Sequence, residues 1–150
     1  MLNPDFRDML SCLSTDHVEF LVVGAYALAA HGYPRATGDI DIWIHATPDN
    51  AGRVRSSLVR FGAPDAGITV EDLLRTDTVI QLGIEPSRID LLTGIDGVLF
   101  SDAWPHRVVV DVDGLSVPVL GKADLLTNKL AAHRDKDLSD IAWLRRHLDG

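Results

Sequence analysis

A single α/β (α+β) domain, a mixed β-sheet with helices packed against it, is the fold class this chain predicts, on three observations. Segments of strand and helix period alternate along all 150 residues, with no repeat and no linker to divide them. An Asp113-Gly114 pair between two apolar runs marks an antiparallel hairpin, so the sheet is mixed. From Lys122 onward apolar residues recur at helical spacing, so that about 121–148 reads as a helical C-terminal segment of the same 1–150 domain.

The elements follow in order. Asn3-Pro4 is a cap followed by proline at the first helical position, predicting a helix to about Ser14 with Phe6, Met9, Leu10 and Leu13 inward. Glu19 to Val23 is a short apolar strand ended by Gly24, and Ala25 to His31 is an alanine-rich helix closed by Gly32. Asp39 to Ile44 alternates with period two, placing Ile40, Ile42 and Ile44 on one face and Asp39 and Asp41 on the other. Thr47-Pro48 opens a helix in which Val54, Leu58 and Phe61 recur until Gly62, and Thr69 with Asp72 forms a capping box before Leu73 and Leu74. Strands at Thr78 to Ile84 and Arg88 to Leu92 flank Glu85-Pro86-Ser87, and strands at His106 to Val112 and Leu115 to Leu120 flank the Asp113-Gly114 turn. Leu125, Leu126, Lys129 and Leu130, then Leu138, Ile141, Ala142, Leu144 and Leu148, give two helices broken near His133 to Lys136.

Composition narrows the function. A formal net charge of −8 opposes broad phosphate-driven adhesion to nucleic acid or anionic lipid, while leaving a local site open. The single Cys12 can make neither an internal disulfide nor a cysteine zinc cluster, the first ten residues carry acids where a signal peptide needs an apolar run, and no apolar stretch approaches the roughly 20 residues of a membrane span. These point to a cytoplasmic protein with no membrane partner. No Gly-x-Gly-x-x-Gly follows a strand, Gly121-Lys122 lacks the rest of a P-loop, and the six histidines include no i, i+4 pair for zinc. Gly114 to Pro118 approaches a nucleophile elbow, but it ends in proline within a hairpin.

What remains is a strand ending in glycine, a short helix, then Asp39-Ile40-Asp41 on one strand and Ile89-Asp90-Leu91 on another. Residues 39 and 41 share a face about 7 Å apart, where two carboxylates repel unless a cation compensates them, and Mg²⁺ is the simplest such cation. Aspartate has poor strand propensity, so three in the middle of apolar strands oppose local preference, as functional sites do. The other reading of each is a solvated residue on a half-exposed strand.

These residues resemble the nucleotidyltransferases of the DNA polymerase beta superfamily, in particular the small prokaryotic members, the minimal nucleotidyltransferases and the AbiEii-like proteins. The resemblance lies in Val23-Gly24-Ala25 upstream of Asp39-Ile40-Asp41, in Arg35 and Thr37 just before the aspartates, and in Lys129 followed by His133 to Ile141, which is similar to an Arg-x-Lys-Asp-x-x-Asp helix. It covers about residues 18–45, 86–93 and 120–145. It implies the nucleotidyltransferase fold, two Mg²⁺ ions, a nucleoside triphosphate substrate, and transfer of its nucleoside monophosphate to an acceptor hydroxyl on RNA, such as tRNA, or on a protein. It also implies a toxin or antitoxin partner. Asp39 and Asp41 would hold both metals, and Asp90 the catalytic one while helping to remove the acceptor proton. Gly24, Ala25, Arg35, Thr37 and Lys129 would bind the nucleotide. Ala25 stands where the family has Gly or Ser, which keeps the amide and removes a hydroxyl.

Several residues keep a second reading. Lys129 is either a triphosphate partner or a solvated helix lysine, Arg35 contacts phosphate or pairs with Asp39 or Asp41, and Trp43 stacks a base or packs in the core. Asp137 and Asp140 assist the acceptor, or lie on a solvated face. The competing functions are a nucleotidyltransferase-fold antitoxin or regulatory module with little turnover, and a metal-dependent phosphohydrolase, which leaves the glycine turn without a purpose.

Overall fold

The computed structural model describes residues 2–63 and 67–148. Helix α1 (Pro4–Thr15) begins where the Asn3 side chain accepts from the Asp5 amide at 2.8 Å, and it buries Phe6, Met9, Leu10 and Leu13. Strand β1 (Phe20–Val23), buried throughout, runs straight into α2 (Gly24–Ala30), and β2 (Asp39–Ile44) follows. Helix α3 (Pro48–Phe61) is capped by Thr47 and stopped by Gly62 at φ 85°, a left-handed conformation that glycine adopts without steric cost. Helix α4 (Val70–Leu74) carries the Thr69–Asp72 capping box, and β3 (Val79–Leu82) and β4 (Arg88–Leu92) come next. A four-residue helix α5 (Phe100–Ala103) and a 3₁₀ turn (Trp104–His106) precede β5 (Val108–Val112) and β6 (Leu115–Val119). Helix α6 (Lys122–Ala132), a 3₁₀ turn (Asp135–Asp137) and α7 (Leu138–His147) close the described chain.

Among the described residues six strands form one mixed sheet in the order β3-β4-β2-β1-β6-β5. The pairs β1–β2, β3–β4 and β5–β6 are antiparallel, whereas β2–β4 and β1–β6 are parallel. The β5–β6 turn places Asp113 at φ 49° and Gly114 at φ 85°, the left-handed pair that a tight hairpin needs. Ile40, Ile42 and Ile44 are buried on one side of β2, opposite Asp39 and Asp41, as the alternation predicts.

The differences from the sequence reading are local. Strands β1, β3 and β5 are shorter than predicted: Glu19 has its amide bound by the Asn50 side chain, Gly83 bends the chain at φ 74°, and His106 belongs to the 3₁₀ turn. Helix α5 escapes periodicity because one turn shows none, although Phe100 and Ala103 are both buried. Leu138 keeps the helical spacing but is 64% exposed, since α7 turns its other side to the core through Ile141 and Leu144. No helix among the described residues is long and apolar enough to cross a membrane.

Candidate active site

Strand register assembles the acidic cluster. In the parallel β2–β4 pair Asp41 stands beside Asp90, and Asp39 stands beside Arg88. Carboxylate oxygens of Asp39, Asp41 and Asp90 all lie within 4.8 Å of one another. The β1–β2 register sets Val23 against Asp41, so the next residue, Gly24, meets the aspartate at the point where the strand turns into α2. A Cβ at Gly24 would collide with the Asp41 carboxylate, and the residue sits at φ 69°; the glycine is required on both counts.

One guanidinium binds two of the three acids. Arg88 Nη2 donates to Asp39 Oδ2 at 2.7 Å and to Asp90 Oδ2 at 3.3 Å, while its Nε donates to Asp90 Oδ1 at 3.2 Å. The Thr37 hydroxyl donates to Asp39 Oδ1 at 2.6 Å. Burial opposes ionisation of Asp39, but the Thr37 hydroxyl and Arg88 outweigh it and hold that carboxyl below its ordinary value. Asp90 moves the other way, raised by burial that Arg88 only partly offsets. Asp41 is pushed up to about 7, first by burial and then by the charges of Asp39 and Asp90.

The triad opens into a cleft of about 490 Å³ whose walls also include Gly24, Asp77, Asn128, Lys129, Arg134 and Lys136. Lys129 lies on α6 and is only 5% exposed. Its ammonium donates to Asp137 Oδ1 at 3.0 Å and pairs with Asp140 Oδ2 at 3.2 Å. Burial lowers its pKa, with Asp137 opposing the shift. Arg134 Nε donates to Asp137 Oδ2 at 2.7 Å, and Arg35 pairs with Asp140. Burial likewise opposes ionisation of Asp137, but Lys129 and Arg134 bring its pKa below the ordinary value.

The predicted residues thus separate into groups. Asp39, Asp41, Asp90, Gly24 and Lys129 line one cleft, and Ala25 follows Gly24 at the start of α2. Thr37 acts on Asp39, while Arg35 reaches Asp140 instead of Asp39 or Asp41. The solvated-face readings do not hold: Lys129, Asp137 and Asp140 are all buried, because their charges satisfy one another. Trp43 packs edge-to-face on Phe100 at 5.0 Å between ring centres and is buried, a core tryptophan with no free face to stack a base.

Arg88 escaped the sequence reading, and Arg134, though it stands in the stretch from His133 to Ile141 that carries the resemblance, was given no role of its own. Arg88 could have been found two residues before Asp90, the spacing that puts both on one face of a strand, and Arg134 three before Asp137, the spacing of a helical ion pair. Asp77 and Asn128 gave no signal, since they reach the cleft from a turn and a helix far apart in sequence.

No family model matches the sequence, and neither does any curated protein sequence. Solved structures do. One is the crystal structure of a Thermotoga maritima protein provisionally described as a nucleotidyltransferase, which superposes with a TM-score of 0.63 over 97% of this chain and 96% of its own, at 19% identity. The fold is that of a nucleotidyltransferase. The nucleotidyltransferase fold that the motifs around Gly24 and Asp39 imply is therefore present over nearly the whole chain, and its acidic cluster could hold a metal.

Proposed function

We propose that this protein is a Mg²⁺-dependent nucleotidyltransferase that transfers a nucleoside monophosphate from a nucleoside triphosphate to a hydroxyl of an RNA or protein acceptor. The observation that carries the reading is the convergence of Asp39, Asp41 and Asp90 within 4.8 Å, with a single guanidinium among three carboxylates. The site suits a hard cation: its donors are all carboxylate oxygens, and Asp41 is pushed up to about 7 by burial and then by the charges of Asp39 and Asp90. Two Mg²⁺ ions, when bound, would supply charge neutralisation on the α-phosphate and the leaving pyrophosphate. Asp39 and Asp41 would hold both ions, and Asp90 would hold one of them and take the acceptor proton on a carboxylate oxygen.

The rest of the cleft supports the phosphates. Gly24 and Ala25 offer main-chain amides where β1 turns into α2, and the absence of a Cβ at Gly24 lets the Asp41 carboxylate stand against that turn. Lys129 is committed to Asp137 and Asp140, so its part is to hold the wall that carries Arg134 and Lys136, whose charges face the same cleft. The resemblance carried by residues 129–141 favours as acceptor an RNA end, tRNA included, or the partner protein of a toxin–antitoxin pair.

Incubation with Mg²⁺ and each α-labelled triphosphate, with tRNA or cell lysate as acceptor, tests the reading. Wild type should transfer label, and Asp90→Asn should bind nucleotide while losing transfer. Transfer at the wild-type rate in Asp90→Asn would remove that residue from the chemistry. Nucleotide binding without transfer to any acceptor would instead favour the regulatory module and point to nucleotide sensing.

A further inference from the structure

We infer that Arg88 is the resident cation of the carboxylate triad, holding Asp39 and Asp90 together while the site is free of metal and yielding to a divalent cation as its guanidinium passes toward Glu85. The inference rests on reading the triad as a metal site. Its basis is competition for the same atoms. Both oxygens of Asp90 and one of Asp39 accept hydrogen bonds from Arg88. A cation entering among the three carboxylates must share those oxygens with a guanidinium that already carries a full positive charge. Each ligand therefore opposes the other.

Placement makes the exchange physically economical. Strand register fixes Arg88 beside Asp39, and period two fixes it on the same face of β4 as Asp90, so the guanidinium reaches both carboxylates without leaving the sheet. A receiving group stands close by: Glu85 Oε1 is 4.0 Å from Arg88 Nη1, on the side of the guanidinium away from Asp90 Oδ1. Glu85 is mostly exposed, so an Arg88–Glu85 pair lies toward solvent, where an ion pair carries little desolvation penalty. In the free protein Arg88 offsets the repulsion between Asp39 and Asp90; in the loaded protein the metal takes over that task, and Arg88 is released to the mouth of the site.

The experiment measures Mn²⁺ affinity by electron paramagnetic resonance without nucleotide, for wild type, Arg88→Gln, Arg88→Lys and Glu85→Gln, together with melting in EDTA and in Mn²⁺. Arg88→Gln should bind Mn²⁺ roughly tenfold more tightly or better, because the competing charge-assisted hydrogen bonds are gone. It should melt below wild type in EDTA and gain more from Mn²⁺. Arg88→Lys, which keeps the charge and loses the fork, should fall between the two, and Glu85→Gln should bind Mn²⁺ a few-fold more weakly. Should Arg88→Gln fold in neither buffer, Arg88→Lys decides by the same measure. Equal or weaker Mn²⁺ binding in the folded Arg88 variants overturns the inference. If wild type is still stabilised by Mg²⁺ plus triphosphate, only the role of Arg88 fails; if no form of the protein responds to metal or triphosphate, the nucleotidyltransferase reading fails with it.

Discussion

The cleft has two charged walls, and they are finished to different degrees. On the α6–α7 side two buried carboxylates, Asp137 and Asp140, are met by one ammonium and two guanidiniums, those of Lys129, Arg134 and Arg35. On the β2–β4 side two of the three carboxylates, Asp39 and Asp90, pair with the one guanidinium of Arg88, and Asp41 has no such partner among the described residues. Both groups are mixtures of the same side chains, yet one has its negative charge fully compensated and the other does not. The compensated group holds helices together. The uncompensated one keeps a cost in the free protein that a bound cation would relieve, which fits the site proposed above.

Removing one charge from each side should separate the two most widely. Lys129→Met keeps the side-chain volume but leaves two buried carboxylates short of their central partner, and it should lose about 3–5 kcal/mol of stability. Asp41→Asn takes a charge from the overloaded side and should leave the metal-free protein as stable as before, or more so. Urea unfolding in EDTA checks both, and a larger loss from Asp41→Asn than from Lys129→Met would reverse the comparison.

A smaller effect is expected at the turn that lets the triad form. Gly24→Ala must hold an L-residue at φ 69° and place a Cβ against the Asp41 carboxylate, so a loss of about 1–3 kcal/mol is expected. Combining it with Asp41→Ala removes the collision but not the backbone strain. The double variant should therefore lose less than the sum of the singles, and full additivity in thermal melts would show that Gly24 and Asp41 do not press on one another.

Asp41 on one wall and Asp137 on the other titrate in opposite senses. Asp41 has a folded pKa of about 7, above its ordinary value of 3.8, so the folded state binds more protons than the unfolded one between those values. Its contribution to stability is fully present below about pH 4 and is lost as pH rises through 7, with a slope of at most about 1.4 kcal/mol per pH unit for one proton. Asp137 is lowered, so its contribution is present above the ordinary value of 3.8 and is lost as pH falls through its folded pKa. Denaturation of the metal-free protein from pH 4 to 8 should show the Asp41 slope, and Asp41→Asn should flatten it. Saturating Mg²⁺ should flatten it too, because metal binding displaces the same proton. A slope that survives both treatments would place the titrating group elsewhere.

The legibility of these features in the sequence follows the same division. Period two and capping chemistry are local, so α1, α3, α4, β2 and the β5–β6 hairpin could be read from Asn3, Thr47, Thr69, Asp39 to Ile44 and Asp113-Gly114. The face shared by Asp39 and Asp41 was legible for that reason. The burial of Lys129, Asp137 and Asp140 was not, because a charged residue on a helix reads as solvated until its partners are known, and Arg35, which satisfies Asp140, arrives from 105 residues away. The hold of Arg88 on Asp39 depends on the parallel pairing of β2 with β4, and no pattern within either strand specifies its neighbour.

The smallest predicted effect tests whether the two walls act independently. Between them runs the segment before β2, which carries Arg35 toward Asp140 and, two residues on, Thr37 toward Asp39. Its start is fixed by ring stacking: Tyr33 lies on Trp143 at 5.1 Å, Trp143 lies on His147 at 4.2 Å, and Arg35 sits over the Tyr33 ring at 5.6 Å. Trp143→Leu removes the centre of this stack and should lose about 1 kcal/mol, the worth of such ring pairs beyond their buried area. Asp39 is still gripped by Thr37 and Arg88, so Mn²⁺ affinity should not change. Stability losses of Trp143→Leu and Asp39→Asn should then add within about 0.5 kcal/mol. A larger coupling energy, or a weakened Mn²⁺ site in Trp143→Leu, would mean that α7 reaches the triad through residues 33–37, and the two walls would have to be treated as a single unit.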